Sequence, residues 1–133
     1  MLFRSIAGGI EWVKSIAVNG DEIPQMVEKG KASFTGPEIS GKTLGVVGLG
    51  AIGAKIASTA LALGMDVWGY DPFLSVDAAW QLSRNVQHAH DLDTIYKNYD
   101  YITLHVPYTK ETHHMLNAEA FEKIRGYGGA AAL

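Results

Sequence analysis

The thirty residues from 42 to 71, KTLGVVGLGAIGAKIASTALALGMDVWGYD, constrain this chain more than any other part of it. An apolar run over 44–49 leads into Gly48-Leu49-Gly50-Ala51-Ile52-Gly53, an amphipathic stretch follows, and a second apolar run over 65–70 stops at Asp71. Strand, glycine turn, helix, strand and acid, in that order, make up a βαβ unit that can hold a dinucleotide. GxGxxG alone is a weak signal. The same spacing inside a complete unit is a strong one.

Each residue type has a physical reason. Gly48 lets the chain turn sharply from strand to helix, Gly50 leaves room for a pyrophosphate to approach the backbone, and Gly53 lets the helix pack closely on the strand below. Free N–H groups in the first helical turn, around Ala51 and Ile52, then point at the phosphates, and the helix dipole adds to the attraction. Ile52, Ile56, Thr59, Ala60 and Leu63 recur at helical spacing, which predicts one apolar face laid on a sheet, with Gly64 as a left-handed cap. Asp71 stands 18 positions after Gly53, near the expected ~20. Its carboxylate can accept from the adenosine ribose hydroxyls and would repel a 2′-phosphate, since two unit charges ~4 Å apart interact by roughly 4 kcal/mol at an effective dielectric of 20. The next arginine is Arg84. The cofactor expected is therefore NAD rather than NADP.

A second motif competes. Gly36-Pro37-Glu38-Ile39-Ser40-Gly41-Lys42-Thr43 matches GxxxxGK[ST], but a phosphate loop must follow a strand and open a helix. Residues 31–34 do not read as a buried strand, residues 44–47 read as strand rather than helix, and Pro37 removes a backbone donor. The match is read as accidental.

Composition sets outer bounds. The chain has 133 residues, enough for one small domain with a real core, and its 47 % hydrophobic and 19 % charged residues are ordinary for a globular protein. A net charge of −3 without a basic cluster argues against nucleic acid. The absence of cysteine excludes disulfides and cysteine metal sites and is compatible with a reducing cytoplasm. The apolar residues 1–10 are short for a signal peptide, lack a small-residue cleavage site and run into Glu11, Trp12 and Lys14. No segment approaches the ~20 apolar residues of a membrane span.

Outside the core motif, residues 6–18 predict a helix with Ile6, Ile10, Val13 and Ala17 on one face, and 24–29 a second, short one with Pro24 in its first turn. Neither has an obvious partner in the first forty residues. Trp12 suggests packing against the main body or another chain, so the helix is a candidate homodimer contact, with docking on its own sheet the equal alternative. After Asp71, a short helix over 76–82, a brief strand at Val86, and a helix through Leu92, Ile95, Tyr96 and Tyr99 capped by Asp91 are predicted. A strand over 101–106, a loop to His113, a helix over 118–124 capped by Asn117, and the start of a strand at 129–133 complete the pattern. The fold class is α/β, a Rossmann-type parallel sheet with helices on both faces and right-handed crossovers, carrying the first half of a dinucleotide-binding domain over 35–133 behind a helical segment over 1–34. Ligands in such sheets bind beyond the carboxyl ends of the strands, so the Gly48 loop, Asp71 and His105-Val106-Pro107 should meet in one crevice.

With GKTLGVVGLGAIG, GYDP at 69–72 and DYITLHVPYTKETHHMLN at 100–117 in view, the chain resembles the D-2-hydroxyacid dehydrogenase family, most closely its D-3-phosphoglycerate dehydrogenase branch, over residues 35–125. Tyr99 departs from the pattern, standing where a small residue is more usual. The resemblance implies that Gly48, Gly50, Ala51, Ile52 and Gly53 hold the pyrophosphate and Asp71 the adenosine ribose. It places His105, Val106 and Pro107 at the adenine side and Thr112 close to the cofactor. It also implies hydride transfer between NAD and a small 2-hydroxy acid, with an arginine gripping the carboxylate and a glutamate-supported histidine as acid–base. None of these three catalytic groups falls on a residue of this chain, and His105 is not that histidine. The expectation is a cytoplasmic NAD-binding portion that does not catalyse alone. The competing expectation is a non-catalytic nucleotide-binding or self-associating domain. His88, His90, His113 and His114 are read as surface or packing residues, because no carboxylate or cysteine completes a metal set.

Overall fold

The computed structural model describes residues 2–4, 6–127 and 130–131, so Gly129, Ala132 and Leu133 of the expected last strand lie outside the described residues. The chain divides into two compact units, Met1–Ile39 and Ser40–Leu133. The sequence reading divides it at 34/35. The difference arises because β2 (Thr35–Glu38) pairs antiparallel with β1 (Leu2–Arg4) and so stays with the first unit.

In the first unit, α1 (Ile6–Ile16), a 3-10 helix (Ala17–Glu22), α2 (Ile23–Gly30) and a second 3-10 helix (Lys31–Phe34) connect the two strands. The two helices that lacked a partner in the sequence reading have each other. A Cβ on Gly30 would run into the indole ring of Trp12, so the glycine is the socket for that ring. The ring of Phe34 lies across Trp12 at 5.1 Å. Trp12 and Ile16 therefore face inward within this unit, while Ile6, Ile10, Val13 and Ala17, the apolar face read from the sequence, are all exposed.

The second unit is a Rossmann-type α/β fold. Its strands are β3 (Thr43–Val47), β4 (Asp66–Tyr70), β5 (Gln87–His88), β6 (Tyr101–Leu104) and β7 (Ala130–Ala131). Between them run α3 (Ala51–Ala62), α4 (Val76–Gln81), α5 (Leu92–Asn98) and α6 (Ala118–Tyr127). The strand order is β5-β4-β3-β6-β7, every pair parallel. Because the chain builds outward from β3 on one side and then returns to place β6 on the other, the order reverses between β3 and β6. A crevice opens at such a reversal. The central strand is buried on both faces (Leu44, Val46 and Val47), as a covered parallel strand must be.

Residues on the two faces alternate. Val47 packs with Ile95, Tyr96, Tyr99, Ile102 and Ile124 in the cluster under α5 and α6, whereas Val46 faces α3, where its Cγ1 lies 3.5 Å from the position of a Cβ on Gly53. The seam of α3 shares Ala60 with the face read off the sequence and otherwise differs from it. Gly53, Ala57 and Ala60 are buried, while Ile52 and Leu63 are exposed. The reason is distance: a helix that must bring Gly53 onto the strand end can carry only small residues along its contact line, so the bulky residues move to the flanks.

Tyr99 is accommodated without disruption. It is buried against Trp68, 5.8 Å between centroids. Gly45 makes room for it: a Cβ there would meet Ile95 Cγ2 at 2.9 Å and Tyr99 Cδ2 at 3.3 Å. Burial pushes the Tyr99 hydroxyl up to about 12. The expected caps form, Asp91 and Asn117 accepting from the N–H groups of Thr94 (2.6 Å) and Ala120 (2.9 Å), and Gly64 adopts φ +81°. Ser75, which the sequence reading passed over, caps α4 by accepting from Ala78 N–H. After Lys42 and Thr43 the chain runs straight into β3, so the GxxxxGKT match lacks the helix a phosphate loop requires.

Thr43 is instead part of a bracket across the start of β3 and β6. Asp100 Oδ2 accepts from Thr43 N–H and from its hydroxyl, each at 2.9 Å, and the hydroxyl oxygen accepts from Asp100 N–H at 2.9 Å. The Thr43 N–H, chiefly, holds the Asp100 carboxyl below the usual range. A depressed carboxyl adds stability above its unfolded value of about 4 and loses it as pH falls through the folded one. Urea unfolding followed by circular dichroism should therefore show the midpoint falling from about pH 5 to about pH 2 by more in the parent chain than in Asp100→Asn. Equal falls would show that the bracket is not coupled to folding.

Candidate functional site

The crevice at the strand ends is a cavity of about 640 Å³, within the range of small-molecule sites. Three loops supply its walls: Gly48 and Gly50 after β3, Asp71, Pro72 and Phe73 after β4, and His105, Val106, Pro107 and Thr112 after β6. Seven of the ten residues singled out in the sequence thus line one cavity. Ala51, Ile52 and Gly53 do not line it; they form the first turn of α3, with Gly53 buried and Ile52 exposed.

Short backbone bonds tie the three loops together. Gly48 N–H donates to Tyr70 O at 2.8 Å, and His105 N–H to Val47 O at 2.7 Å. The half-buried carboxylate of Asp71 spans two segments: Oδ2 accepts from Leu49 N–H at 2.9 Å and Oδ1 from Phe73 N–H at 2.9 Å. The acid predicted to face a ribose therefore also clasps the glycine loop. Each oxygen keeps a further lone pair for a ligand.

The three glycines stand in different circumstances. Gly48 has φ +89°, and a Cβ there would meet the His105 carbonyl oxygen at 2.5 Å. A Cβ on Gly53 would collide with the Gly48 carbonyl. Both are required by the fold itself. Gly50 has φ −65° and ψ −167°, backbone that any residue adopts, and a Cβ there meets nothing within 4 Å. Packing does not demand a glycine at that position, and the space it leaves lies in the cavity wall. No side chain caps α3, whose first helical bond is Ala54 N–H to Gly50 O at 2.9 Å. The N–H groups of Ala51, Ile52 and Gly53 therefore have no helical acceptor, as in any first turn, and make an end suited to an anion.

On the β6 side a compact turn holds Thr112. Its hydroxyl donates to Pro107 O at 2.7 Å and accepts from Thr109 N–H at 2.8 Å. Beneath the turn, the Tyr96 hydroxyl donates to Met115 O at 3.0 Å, anchoring the loop to α5. His105 is half-buried, its Nε2 2.9 Å from Thr103 Oγ1 on its own strand. His113 and His114 stack at 3.7 Å outside the cavity, and the Tyr108 hydroxyl bonds His113 Nδ1.

Sequence reasoning missed Phe73, Thr109, Glu111 and Met115, which also line the cavity. Thr109 and Thr112, three apart with hydroxyls that can close a turn, were the readable signal. Glu111 carried none. The Thr109 hydroxyl holds its carboxyl below the usual range, so the cavity carries two carboxylates, and neither lysine nor arginine lines it. Among the described residues no group of three or more His, Cys, Asp or Glu side chains could hold a metal, and no helix is long and apolar enough to cross a membrane.

Comparison with known proteins agrees with this geometry. The sequence profile of the D-isomer specific 2-hydroxyacid dehydrogenase NAD binding domain matches residues 3–127. That span takes in the N-terminal helices, which the resemblance over 35–125 left out. The chain is 44 % identical over 95 residues to a D-3-phosphoglycerate dehydrogenase of Synechocystis, covering 71 % of this chain and 17 % of that protein. It is 42 % identical over 95 residues to a hydroxypyruvate reductase of Thermotoga maritima, covering 71 % and 29 %. Among solved structures, a D-lactate dehydrogenase of Aquifex aeolicus complexed with NAD and lactic acid superposes with a TM-score of 0.61 at 37 % identity, over 77 % of this chain and 31 % of that one. The chain thus spans less than a third of the length of each of these relatives. With a profile matched over nearly its whole length, and glycine loop, acid and third loop gathered at one crevice, the chain belongs to the D-isomer specific 2-hydroxyacid dehydrogenase family, within its NAD-binding domain.

Proposed function

We propose that this chain holds NAD in the crevice between β3 and β6, as the nucleotide-binding part of an oxidoreductase that moves a hydride between the cofactor and the 2-carbon of a small 2-hydroxy acid. The observation that carries the proposal is Gly50: the fold does not need its missing side chain, and a phosphate does. The pyrophosphate would sit over Gly48 and Gly50 against the first-turn amides of Ala51, Ile52 and Gly53. Asp71 would accept from the ribose hydroxyls through its remaining lone pairs. His105, Val106, Pro107 and Thr112 would border the adenine side. Bound NAD would supply the hydride acceptor at its nicotinamide ring. The residues of this chain bind and orient it, and none is assigned proton transfer or substrate grip. The carboxylates of Asp71 and Glu111, with no cation to offset them, favour NAD over NADP. The names of the relatives support a 2-hydroxy acid substrate, 3-phosphoglycerate first, for the whole protein.

A specific observation also favours self-association. Ile6, Ile10 and Val13 form an exposed stripe on α1, 72 %, 52 % and 54 % accessible. Such a stripe is more apolar surface than a lone surface helix ordinarily shows. Pairing of two identical chains through it is the homodimer expected from the sequence.

Three outcomes follow. Gly50→Ala should unfold within about 1 kcal/mol of the parent yet bind NAD at least about tenfold more weakly, whereas Gly48→Ala should lose more than about 3 kcal/mol from positive φ and overpacking. Thermal unfolding and calorimetric titration read the two effects separately, and unchanged NAD affinity in Gly50→Ala would remove the basis of the proposal. Asp71→Asn, which keeps an acceptor oxygen but loses the charge, should narrow the preference for NAD over NADP by at least about tenfold, about 1.4 kcal/mol. Sedimentation velocity should show a dimer that Ile10→Glu converts to monomer; a monomer at every concentration of the parent would refute pairing.

A further inference from the structure

A second cavity, of about 500 Å³, lies on the other side of β4. Tyr70 lines the first cavity and Gly69 the second. Successive residues of a strand face opposite sides, so the two cavities share a strand without sharing a face. Leu49 and Leu74 give the second cavity an apolar wall, Trp80 flanks it with a ring that is 79 % exposed, and Ser83, Arg84 and His88 form a polar end. No aspartate or glutamate lines it. Among the described residues Arg84 makes no ion pair, and its guanidinium has no hydrogen-bond partner. An aromatic and aliphatic lining that includes an arginine without an ion-pair partner fits an organic anion with an apolar body, because the planar fork bonds a carboxylate through two parallel N–H groups.

The shared wall gives such a ligand a route to the first cavity. The side chain of Leu49 lines the second cavity, and its N–H is one of the two groups that hold the Asp71 carboxylate. Leu74 reaches the same residue through its backbone: it lines the cavity, and its N–H donates to the main-chain carbonyl of Asp71 at 3.4 Å. A molecule seated between them touches one residue that holds the Asp71 carboxylate and one that holds its backbone. We infer that the cavity beside Arg84 is an effector site for a carboxylate with an apolar body, whose occupancy shifts the affinity of the neighbouring crevice for NAD. The shift in affinity rests on the proposed NAD binding; the site itself does not.

The test uses the 133-residue chain and 4-phenylbutyrate, which carries no oxygen at C2 and so does not mimic the hydroxy acid. The alcohol 4-phenylbutan-1-ol and inorganic phosphate run beside it, one without the charge and one without the body. Calorimetry should show saturable binding of one 4-phenylbutyrate, weakened at least about tenfold in Arg84→Gln, the loss expected for a charge-assisted pair. Ala79→Trp, which fills the cavity from α4, should abolish it. Both variants should keep the parent's thermal unfolding and NAD affinity. Saturating 4-phenylbutyrate should change the NAD dissociation constant at least threefold in the parent and leave it unmoved in Arg84→Gln. Equal binding of the alcohol or of phosphate, or undiminished binding by both variants, overturns the site. Binding without any change in NAD affinity overturns the effector role. Absence of NAD binding by the parent would instead sink the proposed function, and the 4-phenylbutyrate titration would still decide the site.

Discussion

The second unit depends on one point of contact, where the end of β3, the end of β6 and the start of α3 come together without side chains between them. Gly48 lies against the His105 carbonyl and Gly53 against the Gly48 carbonyl, and an added methyl group at either position would overlap a backbone atom. Atoms that cannot be compressed there fix the separation of two strand ends and the angle at which a helix leaves the sheet. The shape of the crevice wall follows from that angle. It sets where the first turn of α3 begins, and the Gly50 face is left open. The interior of a protein transmits such a constraint because it is packed as densely as an organic crystal.

The same constraint explains how far the sequence could be read. Glycine spacing, the acid after β4, the caps at Asp91 and Asn117 and the alternation of strands and helices are local signals, and each lies where local chemistry puts it. The face of α3 was misread because periodicity marks large apolar residues, while the contact line of a helix held close to a sheet is made of small ones. Ile52 and Leu63 satisfy the period and stand in solvent; Gly53, Ala57 and Ala60 do the packing. Trp12 was left without a partner because its socket, Gly30, has no side chain to suggest one. Tyr99 was an oddity in sequence because the compensating residue, Gly45, is 54 positions away and belongs to another strand. Pairs of this kind are set by tertiary distance, which hydrophobic period and residue preference do not encode.

In the candidate site the split is similar. The residues named in advance were those whose type is unusual for its position: glycines at a turn, an acid at a strand end, a histidine and proline after a strand. Phe73 and Glu111 enter the crevice because loops fold back over it, and nothing in their spacing marks that course. The cavity beside Arg84 was equally hidden, since its walls come from a glycine-loop residue, α4 and the segment leading to β5.

The Asp71 carboxylate has a further consequence. One side chain anchors the glycine loop through Leu49 N–H, and in the proposed function the same charge sets the preference between cofactors. On that proposal, a change toward the phosphorylated cofactor is constrained by the architecture: a residue 71 without an acceptor oxygen also releases the glycine loop. A lineage making that exchange must keep an acceptor oxygen at position 71 or find a second anchor for Leu49, so few replacements are open to it in one step.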